Sequence, residues 1–284
     1  MLKNRKSRRL GALSPEKDKM DSGDCRDAGR RAFLREAGAF RHFQTAAIKG
    51  DAEAVHQLRI AITRLRAAAL FFSPFINDQA WPFLDMEFGW INSVLGKARD
   101  CDVMIELSQR KHYRHWASSS FSGFERARDK AYRKLGRKLN TARYRRLIAK
   151  LEAEARGGVL FRGHDNNAPP SAEKFSRQRL RQWRSTILKQ GSRLKSLRQK
   201  RLHHLRICCK QYRYMIAILQ RLSVPLSPDD LSFAQTARQA QRQLGWLRDL
   251  RRLRKAADDH PPGYRKRKRR LIQHAADLFL KHSS

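Results

Sequence analysis

The chain has 284 residues, and 40% of them are hydrophobic, which argues against wholesale disorder and allows one large domain or two of ordinary size. Its 63 Lys and Arg residues against 26 Asp and Glu residues give a net charge of +37, which disfavours a protein without an anionic partner. The candidate partners are therefore polyanions: nucleic acid, an anionic membrane surface or inorganic polyphosphate.

The N-terminal part of the chain predicts a basic arm followed by three helices. Residues 1–26 mix charged residues with Gly, Ser and Pro and lack an apolar period, which indicates a flexible arm. Apolar residues at helical spacing predict a helix over 28–49 and a second over 52–72, which begins after Asp51, a residue type suited to the N-cap. A third helix is predicted over 79–96 and ends at a glycine.

Two more helices and a break complete the first half. The apolar pattern predicts a short helix over 100–111 and a long helix over 121–155. The stretch 157–171 is rich in Gly, Asn and Pro, so it predicts a linker between an N-terminal bundle, 27–156, and a C-terminal bundle, 172–284.

The second half repeats the order of the first. Helices are predicted over 172–194, 200–222, 228–245, 249–258 and 263–281. No segment has the pattern of a β-strand, and short connections favour antiparallel neighbours. The predicted fold class is therefore all-α, with two similar antiparallel helical bundles.

Two of these helices carry the same cationic stripe. At about 100° per residue, one face of each helix presents a histidine and two arginines, and the opposite face is apolar. Each helix can thus pack on a core and offer cations outward. The stripes consist of His56, Arg59, Thr63 and Arg66 in the first half and His203, Arg206, Lys210 and Arg213 in the second.

A second motif also occurs in both halves, and its distance from the cationic stripe is nearly the same in each half. Residues 95–100, LGKARD, and 244–249, LGWLRD, share the pattern LGxxRD. The stripe histidine precedes the aspartate by 44 residues in the first half and by 46 in the second. Two motifs in the same order at this spacing indicate an internal duplication.

The second half is the more basic one. Residues 171–284 contain 29 Lys and Arg against 7 Asp and Glu, whereas 1–170 contain 34 against 19. Arg181 and Arg184 belong to an arginine-rich helix, and 265–270 are six consecutive basic residues. The run at 265–270 is interpreted either as a second contact region or as a solvated face.

The residue types predict neither a catalytic nor a metal centre. The four cysteines lack CxxC spacing, and no phosphate-binding Gly loop, activated nucleophile or carboxylate cluster is apparent. We expect reduced thiols, no cofactor, no metal and no enzymatic activity. No apolar run approaches the ~18–20 residues of a membrane span, and the basic N-terminus lacks the apolar stretch of a secretory signal.

The tryptophans are predicted to belong to the core. Trp81, Trp90 and Trp246 fit apolar helix faces. Proteins that bind single-stranded nucleic acid expose aromatic residues among cations, so this pattern disfavours that partner.

The motifs resemble those of the CHAD family, which is named for its histidines and its α-helical fold. The match consists of HxLRIAxxxLR at 56–66, LGxxRDxDV at 95–103, HxLRIxxKxxRY at 203–214 and QRQLGWLRD at 241–249. These motifs occur in the order of the family and assign residues 27–284 to the domain.

The resemblance implies two four-helix bundles related by a pseudo-two-fold, with a basic groove or pore between them. It also implies binding of inorganic polyphosphate and, in bacteria, association with polyphosphate granules. CHAD domains often lie beside a CYTH-type triphosphatase domain, but no acidic, β-rich stretch of that kind is present, so we expect a stand-alone, cytoplasmic protein. Nucleic acid is the alternative partner, because charge alone does not distinguish polyanions. The oligomeric state is left open.

Three residues depart from the family pattern. Thr63 and Arg248 replace the usual Arg and Asn, and Ala217 replaces the usual Glu. The histidines allow two interpretations: donation to phosphate as imidazolium ions, or structural hydrogen bonds, for example to Asp100 and Asp249. The predicted polyphosphate-binding residues are His56, Arg59, Arg66, Arg99, Arg181, Arg184, His203, Arg206, Lys210 and Arg213.

Overall fold

The computed structural model describes residues 23–109, 122–157, 159–161, 168–256 and 263–282, and in these ranges the chain forms nine α-helices and no β-strand. The predicted all-α class is confirmed for this part of the chain. Residues 1–22 of the predicted arm lie outside it. The helices are α1 (Cys25–Ile48), α2 (Ala52–Phe71), α3 (Trp81–Ser108), α4 (Ser122–Leu139), α5 (Ala142–Arg156), α6 (Ala172–Gly191), α7 (Gln199–Arg221), α8 (Pro228–Ala256) and α9 (Tyr264–Leu280).

Polar caps determine where the first two helices begin. The Asp24 carboxylate accepts hydrogen bonds from the backbone N–H groups of Arg26 and Asp27 and starts α1. The Asp51 carboxylate accepts from the Ala54 N–H at 2.7 Å, so the predicted N-cap of α2 is confirmed. A cap of this kind typically contributes about 1 kcal/mol to stability.

The two predicted helix ends at glycine are wrong. Helix α3 continues through Gly96, and α8 continues through Gly245. The short helices predicted over 100–111 and 249–258 are therefore the last turns of α3 and α8, as far as the chain is described. A glycine costs about 1 kcal/mol relative to alanine inside a helix, and tertiary packing of the apolar face outweighs that cost.

The single long helix predicted over 121–155 is also wrong, because two helices, α4 and α5, occupy this range. The break lies at Asn140 and Thr141, and the Thr141 hydroxyl accepts from the Tyr144 N–H at 3.3 Å and caps α5. Apolar periodicity runs across the break, so the cap was the signal that the sequence interpretation missed.

The helices pack in two sets that meet along α2 and α7. In the N-terminal set, α1 packs against α2, α4 and α5, and α3 packs against α2 and α4. In the C-terminal set, α8 packs against α7 and α9, and α6 packs against α7. The contact between α2 and α7 therefore brings together the two helices that carry the cationic stripes.

The buried apolar residues of the two sets form one continuous core. The predicted apolar faces of the stripe helices lie in this core, where Leu58 of α2 and Leu205 of α7 are fully buried. Phe71 of α2 packs edge-on against two rings of α6, with centroid distances of 5.6 Å to Phe175 and 5.3 Å to Trp183. Apolar contact thus joins the N-terminal set to the C-terminal set.

The described part of the predicted linker packs onto the N-terminal set. Leu160 and Phe161 are fully buried, and the Leu160 carbonyl accepts from the Asn77 N–H at 2.8 Å. The Pro170 carbonyl accepts from the Cys25 N–H at 3.2 Å, which places the start of α6 beside the start of α1.

Candidate anion-binding site

The two cationic stripes face one another across the contact between α2 and α7. Lys210 Nζ donates a hydrogen bond to Thr63 Oγ1 at 3.2 Å. Both residues follow their stripe histidine by seven positions, so the same position of each motif contributes to this contact. The predicted stripes are thereby brought to one place.

Each stripe also places an arginine over the glycine of the nearby LGxxRD motif. Arg59 donates to the Gly96 carbonyl at 3.4 Å, and its Nη1 lies 3.5 Å from where a Cβ on Gly96 would be. In the second half Arg206 Nε lies 3.6 Å from the corresponding point over Gly245. The LGxxRD motif therefore gives the guanidinium groups a flat surface on which to lie.

The aspartates of the LGxxRD motifs pair with arginines of α8. Asp100 accepts two hydrogen bonds from Arg252 at 3.0 and 3.1 Å, a bidentate pair that joins the C-terminal set to α3. Asp249 accepts from both Nε and Nη2 of Arg248, at 3.0 and 2.9 Å. These carboxylates therefore have arginine partners, as expected for structural residues, and neither bonds to a stripe histidine.

We call Arg59, Arg206, Lys210, Arg248 and Arg252 the central cationic cluster. Within the described residues, Arg59, Arg206 and Lys210 form no ion pair with a carboxylate, and Arg206 Nε has no hydrogen-bond partner. Partial burial lowers the pKa of both Arg59 and Arg206; neighbouring arginines add to the shift, whereas Asp100 and Asp249 oppose it. Arg59, Arg206 and Lys210 thus carry partly buried positive charge to which no carboxylate of the described residues is bonded.

Lys210 shows the strongest effect of this charge. Burial lowers its pKa from 10.5 to about 7, and the positive charges of Arg206 and Arg59 contribute next to the shift. An anion beside the ammonium group would reverse the shift, because it favours the protonated form. The lysine is therefore poised to gain a proton when an anion binds.

The two stripe histidines lie at the edge of the cluster. Burial, and then the charge of Arg99, lowers the pKa of His56, which is partly buried. Burial, and then Arg206, lowers the pKa of His203, which is exposed. Among the described residues neither ring forms a hydrogen bond, so the proposed structural bonds to Asp100 and Asp249 are absent there.

Several predicted site residues have other partners. Arg66 pairs with Asp85 at 2.7 Å, and Arg99 pairs with Glu106 at 2.9 Å. Arg184 lies 3.4 Å from Asp229, and Arg213 donates a hydrogen bond to Gln241 at 3.2 Å. Arg181 is exposed on α6. Arg66, Arg99 and Arg184 are thus paired with carboxylates, whereas Arg59, Arg206, Lys210 and Arg213 bond to none within the described ranges.

A cleft of about 270 Å³ lies between α7 and α8, and we call it the α7–α8 cleft. No carboxylate and no Phe, Tyr or Trp residue lines it. Its charged or ionisable lining residues are His203, Arg206, Arg248, Arg251 and Arg252. Arg251 and Arg252 were missed by the sequence prediction, although they follow the LGxxRD motif within one helical turn.

The prediction that Trp246 packs in the core is wrong, because its side chain is 46% exposed. Leu244 and Leu247 occupy the buried positions of this turn, which turns Trp246 outward to a cleft that also contains Arg242 and Lys281. Trp81 and Trp90 pack against the core, as predicted.

The described ranges contain no group of three or more His, Cys, Asp or Glu side chains that could hold a metal ion. None of the helices in these ranges is both long and apolar enough to cross a membrane. All four cysteines fall within them as free thiols.

Comparison with known proteins identifies the same family over most of the chain. The family model for the CHAD domain matches residues 31–258. The fold is similar to the crystal structure of the CHAD domain from the plant Ricinus communis, with 22% identity and a TM-score of 0.69, over 96% of this chain and 91% of that one. It is also similar to PptA from Streptomyces chartreusis, with 14% identity and a TM-score of 0.57, over 92% and 99%. A search of curated proteins gave no match.

Proposed function

The chain belongs to the CHAD family, a family associated with polyphosphate, and we propose that it binds inorganic polyphosphate through the central cationic cluster without catalysing a reaction. The observation that carries the proposal is the partial burial of Arg59 and Arg206 without a bonded carboxylate among the described residues. Buried charge of this kind is costly unless an ion of opposite sign accompanies it. A phosphate chain would supply that ion.

The lining of the α7–α8 cleft favours a polymer of phosphates over other anions. Arginine presents a planar fork that matches two phosphate oxygens, and the cleft supplies Arg206, Arg248, Arg251 and Arg252 for this purpose. A ligand with bases would benefit from stacking on Phe, Tyr or Trp rings, and none of these lines the cleft. The arginines of this cleft therefore support phosphate as the group that it binds.

The two halves contribute to the site in equivalent ways, which supports internal duplication with the basic groove between the bundles, 27–156 and 172–284. Arg59 lies over Gly96, and Arg206 lies over Gly245. In this arrangement one polyphosphate chain contacts α2 and α7 together.

The state of the nearby carboxylates supports binding without turnover. Phosphoryl transfer typically uses Mg²⁺ held by carboxylates beside the phosphates. Asp100 and Asp249 bond to members of the cluster, and each is thereby paired with an arginine. A protein that binds polyphosphate in this way would be retained on polyphosphate granules.

The test is binding of labelled long-chain polyphosphate at near-physiological salt, with DNA and heparin as competitors at equal charge equivalents. We expect binding to persist in both competitors. Displacement by DNA at matched charge would overturn the proposal, because it would show that the net charge acts without regard to the shape of the anion.

Nucleic-acid binding is the second candidate, and Trp246 is the observation that favours it. Its exposed ring on α8 lies in a cleft with Arg242 and Lys281, so it could stack on a base, although Asp277 also lines this cleft. If DNA displaces polyphosphate, W246A should weaken DNA binding more than it weakens polyphosphate binding.

A further inference from the structure

A second cationic cleft lies at the C-terminal end of the chain. It has a volume of about 680 Å³ and lies between α9, the end of α8 and the 3₁₀ turn Leu194–Ser196 that precedes α7. We call it the C-terminal cleft. Its basic lining residues are Lys195, Arg254, Arg265, Lys268 and Arg269.

Among the described residues, no acidic side chain compensates the charge of this cleft. No carboxylate lines it, and none of its five basic residues forms an ion pair within the described part of the chain. Arg265, Lys268 and Arg269 lie at i, i+3 and i+4 of α9, so they share one face of the helix. The cleft also contains Arg254 of α8 and Lys195 of the 3₁₀ turn, so this face of α9 lies opposite other cations. An ordinary solvated basic face would not.

Packing at the start of α9 holds the cleft in place. The Arg254 guanidinium lies 5.4 Å from the centroid of the Tyr264 ring, a cation–π contact between α8 and the first turn of α9. Tyr264 is buried, so its ring is not available for stacking on a ligand. The cleft therefore offers cations, without an exposed aromatic surface.

The end of α8 connects the C-terminal cleft with the α7–α8 cleft. Arg251 lines the α7–α8 cleft, and Arg254 lines the C-terminal cleft. The two residues are neighbours at i and i+3, about 4.5 Å apart along the helix axis. Positive charge thus continues from one cleft to the next.

We propose that the C-terminal cleft is a second polyphosphate-binding site that engages the same chain as the α7–α8 cleft, so that affinity depends on chain length. This proposal rests on the proposed function. A flexible chain held in one cleft presents its next phosphates to the other at high effective concentration, which strengthens binding of long chains alone.

The experiment compares tripolyphosphate with long-chain polyphosphate for the wild type and two triple variants. R265Q/K268Q/R269Q removes the α9 cations of the cleft. R133Q/K134Q/R137Q removes the same number of Arg and Lys residues from exposed positions of α4 and is the control. Calorimetry measures Kd for both ligands, and the Kd of the long chain is also measured as a function of salt.

We expect the cleft variant to raise the Kd of long-chain polyphosphate about ten-fold or more and the control to raise it less than about two-fold. Tripolyphosphate should keep its affinity for the α7–α8 cleft in both variants. For the long chain, the slope of log K against log salt concentration should become shallower by about 2 in the cleft variant. Three fewer cations then displace counter-ions from the polyphosphate.

Equal losses in the two triple variants would overturn the second site and leave the proposed function intact. Failure of the wild type to bind either ligand would instead overturn the proposed function. K195Q/R254Q removes cations from the other walls of the cleft and should also weaken long-chain binding, which keeps the test valid if the α9 variant unfolds. An unchanged Kd in this double variant would count against the site.

Discussion

Lys210 donates a hydrogen bond to Thr63, and these two residues hold the same position in the two stripe motifs. The two motifs face each other at this position, so an arginine in place of Thr63 would bring a second positive charge next to Lys210. Thr63 supplies an oxygen acceptor instead. The departure of Thr63 from the family pattern therefore gives Lys210 a place at the centre of the site.

Arg206 is expected to weaken stability and strengthen binding at the same time. Arg206→Gln should raise the Kd of polyphosphate ten-fold to about a hundred-fold, because a hydrogen bond to a charged group contributes about 1.5–3 kcal/mol. The free energy of unfolding of the free protein should stay unchanged or rise, since the partly buried guanidinium is bonded to no carboxylate of the described residues. Calorimetry and urea unfolding measure the two effects.

The control for this prediction is Arg133→Gln on the exposed side of α4. It should change the Kd less than about two-fold and stability by less than about 0.5 kcal/mol. A loss of both binding and stability in Arg206→Gln would contradict the prediction.

Lys210 should make both stability and binding depend on pH. Its pKa is about 7 in the folded protein and 10.5 ordinarily, so between these values the unfolded chain binds more protons. The free energy of unfolding should therefore rise as the pH increases from about 7 towards 10.5. Polyphosphate favours the protonated lysine, so its affinity should fall over the same range.

Measurements of Kd and of urea unfolding across this pH range test the role of Lys210. K210R keeps the charge at every pH, so it should bind well and lose the pH dependence of affinity. K210Q should also lose the pH dependence but bind more weakly. If wild type and K210R have the same pH profile, Lys210 is not the titrating group.

The stripe histidines should act on the acidic side. Burial and neighbouring cations lower the pKa of His56 and His203 below 6.5, and a bound polyanion raises it again. Affinity for polyphosphate should therefore increase as the pH falls below about 6.5, while stability of the free protein decreases. H56Q/H203Q should abolish most of the acid-side gain in affinity, whereas H42Q, at an exposed position of α1, should retain it.

The ion pair between Asp100 and Arg252 should limit affinity. Asp100→Asn frees Arg252 for phosphate, so the Kd of polyphosphate should fall a few-fold. Stability should decrease by no more than about 1 kcal/mol, because both side chains are partly exposed. Glu106→Gln makes the same change in charge beside Arg99 and should lower the Kd less. Equal decreases would show that net charge alone controls binding.

Helical periodicity predicted the parts of the site that lie on one helix. The position of a residue on a helix face depends only on spacing, so the stripes of α2 and α7 and their buried faces could be inferred from sequence. The same rule failed for Trp246, because a turn with three apolar residues does not show which of them faces the core. It also failed at Gly96 and Gly245, which were interpreted as helix ends.

The contributions from other helices could not be predicted from local patterns. Arg252 reaches Asp100 across 152 positions of sequence. Arg66 was predicted as a ligand, but the fold brings Asp85 to it. Whether an arginine is free to bind an anion depends on which carboxylates surround it, and that is decided by packing between helices.

The continuous core has a consequence for how the site is held. Phe71 of α2 packs on Phe175 and Trp183 of α6, so the two sets of helices cannot separate without exposing large aromatic rings to water. We therefore expect the two sets to melt in one cooperative transition. The arginines that meet along α2 and α7 are aligned when the chain folds, and a ligand meets them already in position.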